Sequence, residues 1–193
     1  MKPTISGILL SFFLILNTLC LGCAYRFGSP ERSLPGGVSS VALPQFTNKT
    51  METGIEVYFT NALREEFQKS KRARVTNPEY ADAIVEGTIT GLTYTPGSKR
   101  TSDSAPFLPT GTVIAAEYNI VVEAELKLIQ RETKKVLWSG IFSSETTYTS
   151  PQVTLSGLNT VNPLYNLSAR RSNIQILARQ VIVEAYNRMT ENF

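Results

Sequence analysis

The sequence predicts an α+β fold in which two helices pack on one face of a four-stranded, mostly antiparallel mixed sheet. Two segments, 53–69 and 172–189, show the 3.6-residue apolar period of amphipathic helices. Residues 116–128 alternate between apolar and polar, as a strand with one buried and one exposed face does. The elements follow in the order strand, helix, three strands, helix, which a two-layer sandwich accommodates.

The first half of this predicted fold is a short strand followed by a helix. Residues 40–46, SVALPQF, form the strand, and the turn-prone TNKT ends it. Thr53, followed three residues later by Glu56, matches a capping box, in which each side chain satisfies a free backbone N–H at the start of a helix. The apolar residues of 53–69 fall on one face, so the helix is expected to cover a core.

Three further strands and a second helix complete the predicted order. Strand 83–94 contains two glycines, which indicate a close approach by a packed element or a bend. Residues 95–112, with three prolines and two glycines, are predicted as a long loop. Strands 116–128 and 136–144 form a hairpin across the turn RETKK. The last predicted element is helix 172–189.

The N-terminal residues have the pattern of a bacterial lipoprotein signal. Lys2 precedes the apolar run ISGILLSFFLIL, which is shorter than the roughly 20 residues of a membrane-spanning helix. Gly22 places a small residue directly before Cys23. We therefore expect residues 1–22 to be a signal peptide and Cys23 to carry a diacylglycerol and an N-acyl chain such as palmitate, because stable anchoring takes more than one chain. An ordinary cleaved signal peptide is the alternative.

The chain after the signal divides into a tether and one domain. Residues 23–37 are rich in proline, glycine and serine and are interpreted as the lipidated N-terminus and tether. Residues 38–193 contain all the predicted elements and no internal repeat, so they form a single domain. Ala24 stands where aspartate would retain a lipoprotein at the inner membrane, which favours the outer membrane.

The composition excludes most catalytic designs. The chain has no histidine, and both cysteines lie within the first 23 residues, so Ser-His-Asp and Cys-His nucleophiles and the usual zinc sites are excluded from the domain. Glu123 and Glu125 share a strand face and are the remaining candidates for the acid–base chemistry of a periplasmic hydrolase. A solvated strand face is the preferred interpretation. We therefore predict no enzyme activity, no catalytic residue, no cofactor and no metal site.

The basic residues do not indicate a nucleic-acid partner. The net charge of +3 is too small to require a polyanion. The basic stretch KSKRAR has no interleaved aromatic residue, and basic residues after a helix also complement its negative end.

The long loop carries an apolar pair, Phe107 and Leu108, between prolines, and a basic pair, Lys99 and Arg100. Such a loop is expected to contact an amphipathic anion or the surface of another protein. The alternative is that it folds back on its own domain. The two interpretations have equal weight.

Four stretches, taken in order, resemble the LptE family of lipopolysaccharide-assembly lipoproteins. They are the cysteine followed by AYRFG, then LPGGVSSVALPQFTNKTMETGIEVYFTNALREEF, then ADAIVEGTITGLTYTP, and later KVLWSG. The most specific parts are VALPQFTNKT with the helix after it, and ADAIVEGTI. The resemblance spans nearly all of the chain after Cys23 and implies the family's fold, two helices against a four-stranded sheet.

The resemblance implies a non-enzymatic role. Family members plug the lumen of the outer-membrane β-barrel LptD in a 1:1 complex, assist its assembly and help to pass lipopolysaccharide to the outer leaflet. The implied location is the outer membrane, with a lipid anchor and with the domain on the periplasmic side and inside the barrel lumen. A lipoprotein pilot or scaffold for another outer-membrane barrel or a secretin is the alternative.

The resemblance also implies that basic side chains bind lipopolysaccharide, because they can pair with the phosphates of lipid A. The candidate positions are Lys99 and Arg100 on the loop between the second and third strands, and Lys134 and Lys135 at the hairpin turn.

Overall fold

The computed structural model describes residues 34–101, 110–111, 113–149, 153–155, 158–160 and 163–191. Cys23, Phe107 and Leu108 therefore lie outside the described residues, and of Arg100 only the backbone is described. No helix within the described ranges is both long enough and apolar enough to cross a membrane.

The described elements follow one another in an order close to the predicted one. They are β1 (Ser40–Ala42), β2 (Thr47–Asn48), α1 (Ile55–Ser70), β3 (Arg74–Val75), β4 (Ala83–Pro96), β5 (Lys99–Thr101), β6 (Val113–Ala115), β7 (Glu117–Gln130), β8 (Val136–Thr149), β9 (Val153–Leu155), β10 (Leu158–Thr160) and α2 (Pro163–Thr190).

Six of the strands form one mixed sheet with the order β3-β1-β4-β7-β8, and β2 pairs with β4 beyond the end of β1. The pairs β3–β1, β1–β4 and β2–β4 are parallel, whereas β4, β7 and β8 are antiparallel neighbours. Strands β5 and β6, and strands β9 and β10, form two small antiparallel sheets. The predicted α+β fold, two helices on a mostly antiparallel mixed sheet, is confirmed, but the sheet has six strands rather than the predicted four, because the two-residue strands β2 and β3 join it.

Both helices pack on the same face of this sheet. Alternate residues of β7, from Ile120 to Leu128, have no exposed surface, as the predicted alternation requires. The helices also contact each other, with the rings of Phe67 and Tyr186 edge to face at 5.0 Å. The largest fully buried side chains of this core are Phe59, Phe67, Leu34, Ile55, Leu63, Ile89, Ile120, Leu126, Leu128, Ile174, Leu177 and Ile182.

The two glycines of β4 have the two roles that the sequence predicts for them. A Cβ at Gly87 would lie 2.2 Å from the ring of Phe46, so any other residue here would force that ring to move. Gly91 lies where the pairing of β4 with β7 shifts register, between Ile89 and Gly91. One glycine therefore allows a close approach and the other marks a bend.

The predicted start of α1 is wrong in one part. The residue before the helix is Gly54, with φ of 88°, and no side chain caps the helix there. Glu56 does reach back, but its Oε2 accepts hydrogen bonds from the Gly54 N–H and from Asn48 Nδ2, at 3.1 Å each. Thr53 therefore does not form the predicted capping box, because a glycine in the left-handed conformation makes the turn into the helix.

Other boundaries also differ from the sequence prediction. Helix α2 begins at Pro163 rather than at Ser172, and proline favours the first position of a helix, where no N–H is needed. The predicted long loop 95–112 contains the end of β4 and strand β5, and β5 pairs as a ribbon with β6, which follows the predicted loop directly. Leu34, in the segment interpreted as a tether, is 1% exposed and belongs to the core.

Candidate binding surfaces

The strand register defines two ends of the sheet, and the predicted basic residues lie at both. Ala83 pairs with Gln130 at one end, which we call the turn end because the β7–β8 turn lies there. Pro96 pairs with Tyr118 at the other, which we call the ribbon end because β5 and β6 follow it. Strands of 14 residues, at about 3.3 Å per residue, separate the two ends by roughly 45 Å.

Lys134 and Lys135 lie in the turn between β7 and β8, as predicted. Lys134 adopts the left-handed conformation with φ of 56°, and its N–H donates to the Gln130 carbonyl at 3.0 Å. Both lysine side chains are exposed.

Lys99 and Arg100 lie on strand β5 rather than on a loop, where their partners in the ribbon are Ala115 and Ile114. The Gly97 N–H donates to the Glu117 carbonyl at 2.8 Å and joins the ribbon to the main sheet. The sequence grouped the four basic residues as one set of lipopolysaccharide contacts. Because the two pairs are at opposite ends of the sheet, a single headgroup cannot contact both.

The turn end is also where the chain enters the domain. Leu34 is buried, and Gly36 is placed so that a Cβ would lie 3.1 Å from the Leu137 side chain at the start of β8. Exposed cations at this end include Lys71, Arg74, Lys134 and Lys135, and the exposed carboxylates Asp82 and Glu132 lie among them. The turn end therefore has a surface of mixed charge in which cations outnumber anions.

Asp82 holds the first strands together at the turn end. Its Oδ2 accepts hydrogen bonds from the Ser39 hydroxyl at 2.8 Å, the Ser40 N–H at 2.9 Å and the Ser39 N–H at 3.1 Å. Hydrogen bonds from Ser39 and then Ser40 lower the pKa of the Asp82 carboxyl from 3.8 to about 2. Arg131, directly after β7, donates from Nε to the carbonyl of Ala81, the residue before Asp82, at 2.8 Å. These contacts fix the base of the β7–β8 turn.

The ribbon end carries a cluster that sequence reasoning missed. The guanidinium of Arg170, on α2, stacks 4.3 Å above the ring of Tyr94, on β4, and forms an ion pair with Glu52, which precedes α1. Tyr118 and Tyr148 stack beside it with ring centroids 5.7 Å apart. We call Glu52, Tyr94 and Arg170 the arginine cluster.

The arginine cluster borders a cavity of about 510 Å³ that Lys49 also lines. Burial raises the pKa of Tyr94 to about 12, and burial followed by Arg171 lowers the pKa of Arg170. Tyr94 Oη and Arg170 Nε are enclosed and have no hydrogen-bond partner in the described part of the chain. Such donors are suited to a carboxylate or phosphate oxygen.

A sequence signal for Arg170 did exist. It lies four residues before Ile174, and Ile174 belongs to the apolar stripe of α2. An arginine in line with a buried stripe needs a partner. Its partner Glu52 is remote in the sequence, which is why periodicity alone does not identify the pair.

The sheet face opposite the helices, which we call the open face, is polar and acidic. Glu86, Glu123, Glu125 and Glu145 lie on it, and Lys127 is the cation beside them in the paired rows of β4, β7 and β8. Glu125 forms an ion pair with Lys127 at 2.8 Å, and Glu123 accepts a hydrogen bond from the Thr90 hydroxyl at 2.9 Å. The open face therefore suits water or a basic partner, and it repels an anionic ligand.

Solved structures of other bacterial proteins are similar to this chain at low sequence identity. The rare lipoprotein B from Shewanella oneidensis is 12% identical, with 78% of this chain and 93% of that chain covered and a TM-score of 0.48. A hypothetical protein from Chlamydia trachomatis is 10% identical, with 79% and 95% covered and a TM-score of 0.49. A PelC dodecamer from Paraburkholderia phytofirmans is 13% identical, with 84% and 91% covered and a TM-score of 0.44.

Comparison with curated proteins gives no match. A family model described as LptE, lipopolysaccharide-assembly, matches residues 38–191. The match includes both helices and the whole six-stranded sheet. The chain therefore belongs to the LptE family of lipopolysaccharide-assembly proteins.

Proposed function

We propose that this protein is an outer-membrane lipoprotein that plugs an LptD-type β-barrel in a 1:1 complex, assists its assembly and helps to deliver lipopolysaccharide to the outer leaflet. The observation that carries the proposal is the match of the LptE family model over residues 38–191. The lipid anchor is proposed to be on Cys23 after removal of residues 1–22, with residues 38–193 as the domain.

The open face supports the position inside a barrel. Its side chains include threonines of β4 and serines of β8, interspersed with the glutamates already named. The lumen of an outer-membrane barrel is polar and filled with water, so a polar sheet face is not penalised there. We further propose that the protein is not an enzyme, since Glu123 and Glu125 each have a surface partner.

The two ends of the sheet are proposed to have different roles. Cys23 lies eleven residues before Leu34, a span of at most about 40 Å when fully extended. We propose that the turn end, which this span keeps within about 40 Å of the anchor, directs Lys134 and Lys135 toward lipid headgroups. The ribbon end is proposed to be the more distant one, with Lys99 and Arg100 as the contacts for lipopolysaccharide. Phe107 and Leu108, between β5 and β6 in the sequence, are proposed to contact the barrel.

The test is a detergent pull-down of the tagged lipoprotein from native membranes, with mass spectrometry of the bound proteins. We expect a stoichiometric outer-membrane barrel of the LptD type. A Cys23→Ser variant, which lacks the proposed lipid site, is the control for membrane association. Recovery of a secretin, or of the lipoprotein alone, would contradict the proposed function.

A further inference from the structure

Strand β8 is an edge of the main sheet and is unusually long for that position. It has 14 residues and pairs on one side with β7. Within the described part of the chain, no strand pairs with its other side. Between Trp138 and Thr147, the outward N–H and C=O groups therefore bond to no other strand among the described residues.

The sequence of β8 lacks the features that normally protect an edge. Natural edge strands are short or carry lysine, proline or a central bulge. β8, VLWSGIFSSETTYT, contains no lysine and no proline, and Glu145 is its one charge. Its register shift lies at the end, opposite Leu128 and Ile129. The other edge of the same sheet, β3, has only two residues, one of which is the exposed Arg74.

The two sides of the β8 edge differ in chemistry. On the helix side, Trp138 and Phe142 are half-buried and stack with ring centroids 5.9 Å apart. On the open side, Ile141 is 67% exposed, and it is followed by Ser143 and Glu145. A strand placed along this edge would alternate, with apolar side chains beside Trp138 and Phe142 and polar side chains beside the open face.

The charge of the open face decides between possible partners. Glu123 and Glu125 of β7 lie in the rows next to β8, and Glu145 lies on β8 itself. Two copies of this chain joined edge to edge would place two acidic faces side by side, which is unfavourable. A strand with basic side chains on the open side would be attracted.

We propose that the β8 edge binds an extended segment of the barrel partner by strand addition, and that this segment alternates basic with apolar residues. The inference rests on the proposed function, because the barrel supplies the segment. Backbone hydrogen bonds give the segment its affinity, and the acidic open face selects its charge.

Amide hydrogen exchange, read residue by residue, tests this proposal. In the isolated lipoprotein in detergent, alternate amides of 138–147 should exchange fast, while those of β7, which is paired on both sides, exchange slowly. In the purified complex, the fast amides should become slow. Protection of all these amides in the isolated chain, or continued fast exchange in the complex, would overturn the proposal.

A pair of matched variants distinguishes binding at the β8 edge from a general effect of charge on the open face. Ile141→Lys with Ser143→Lys adds two cations beside the bound segment and should weaken the complex about tenfold or more. Thr93→Lys adds a cation to an exposed position of the same face on β4, away from the edge, and should leave the affinity unchanged. Equal weakening by both, or by neither, would contradict the proposal.

The failures of the two hypotheses are distinguishable. If no barrel co-purifies, the proposed function fails and the edge proposal fails with it. If the barrel co-purifies in a 1:1 ratio and β8 stays unprotected, only the edge proposal fails.

Discussion

The ionisation of Asp82 is coupled to folding through its hydrogen bonds to β1 and the residue before it. Its carboxylate accepts three hydrogen bonds from Ser39 and Ser40, and its pKa falls to about 2 as a result. A carboxyl with a lowered pKa in the folded state stabilises the fold above its ordinary pKa of 3.8, and this stabilisation is lost as the pH falls through about 2.

The variant Asp82→Asn is therefore expected to be less stable than the natural protein at pH 7, with a difference that shrinks as the pH is lowered below 4. Urea unfolding of both proteins at pH 7, 4 and 3 measures this difference. Glu79→Gln, at a nearby exposed carboxyl, is the matched control. A difference that is constant over this pH range would contradict the assignment.

Substitution of Gly87 tests how tightly a single residue of β4 packs against Phe46. A Cβ at this position would lie 2.2 Å from the Phe46 ring, whereas at Gly91 the nearest atom is Glu123 Cβ at 3.7 Å. Gly87→Ala should destabilise the fold by about 1–3 kcal/mol, because the ring must move within a packed core. Gly91→Ala, the control on the same strand, should change the unfolding free energy by less than about 1 kcal/mol.

Thermal unfolding followed by circular dichroism compares the two glycine variants. The double variant Gly87→Ala with Phe46→Leu removes the ring and should recover part of the loss. Equal effects of Gly87→Ala and Gly91→Ala would show that strand propensity, and not the contact with Phe46, explains the glycine.

At the scale of elements, the arginine cluster links α2 to β4 and to the segment before α1. Glu52 and Arg170 have side chains that are 15% and 34% exposed, so removing one leaves a partly buried charge without its partner. Arg170→Met should therefore destabilise the domain by about 2 kcal/mol, and the exposed Arg171→Met, its control, by less than about 0.5 kcal/mol.

A double-mutant cycle with Glu52→Gln and Arg170→Met measures the coupling between the two side chains by chemical denaturation. We expect a coupling energy of about 1 kcal/mol or more, since the pair shares a stacked and enclosed site. A coupling near zero would mean that Arg170 acts only through its stacking on Tyr94.

The sequence predicted elements whose evidence is local. The alternation of β7 and the apolar stripes of the helices show which side of each element is buried. The two glycines of β4 show where a side chain would disturb the strand. What it did not predict depends on distant partners. Glu56 of α1 accepts a hydrogen bond from Asn48 of β2, and Arg170 of α2 pairs with Glu52, so neither contact can be deduced from spacing. The ribbon of β5 and β6 was missed because strands of three residues have almost no periodicity.

At the scale of the whole molecule, the sheet is long enough to keep apart basic residues that the sequence analysis had assigned to one lipopolysaccharide-binding set. The four candidate basic residues are all on connections or short strands, and only the register of β4, β7 and β8 shows that Lys99 and Lys134 lie at opposite ends of strands roughly 45 Å long. One lipid A headgroup therefore cannot contact both pairs, and the two pairs should behave differently when each is removed.

The double variant Lys99→Ala with Arg100→Ala is expected to weaken lipopolysaccharide binding about tenfold, since each charge-assisted hydrogen bond to a phosphate contributes up to a few kcal/mol and exposed cations contribute less. Lys134→Ala with Lys135→Ala removes the same charge from the turn end and should leave lipopolysaccharide binding unchanged, while reducing binding to vesicles that contain anionic lipid.

Binding of the purified variants to lipopolysaccharide and to such vesicles, at two salt concentrations, measures both effects, because contacts to phosphates weaken as salt rises. The opposite assignment, with lipopolysaccharide at the turn end, requires the second variant to lose that binding and the first to retain it. Equal losses in both variants would mean that net charge, rather than a site at either end of the sheet, governs the interaction.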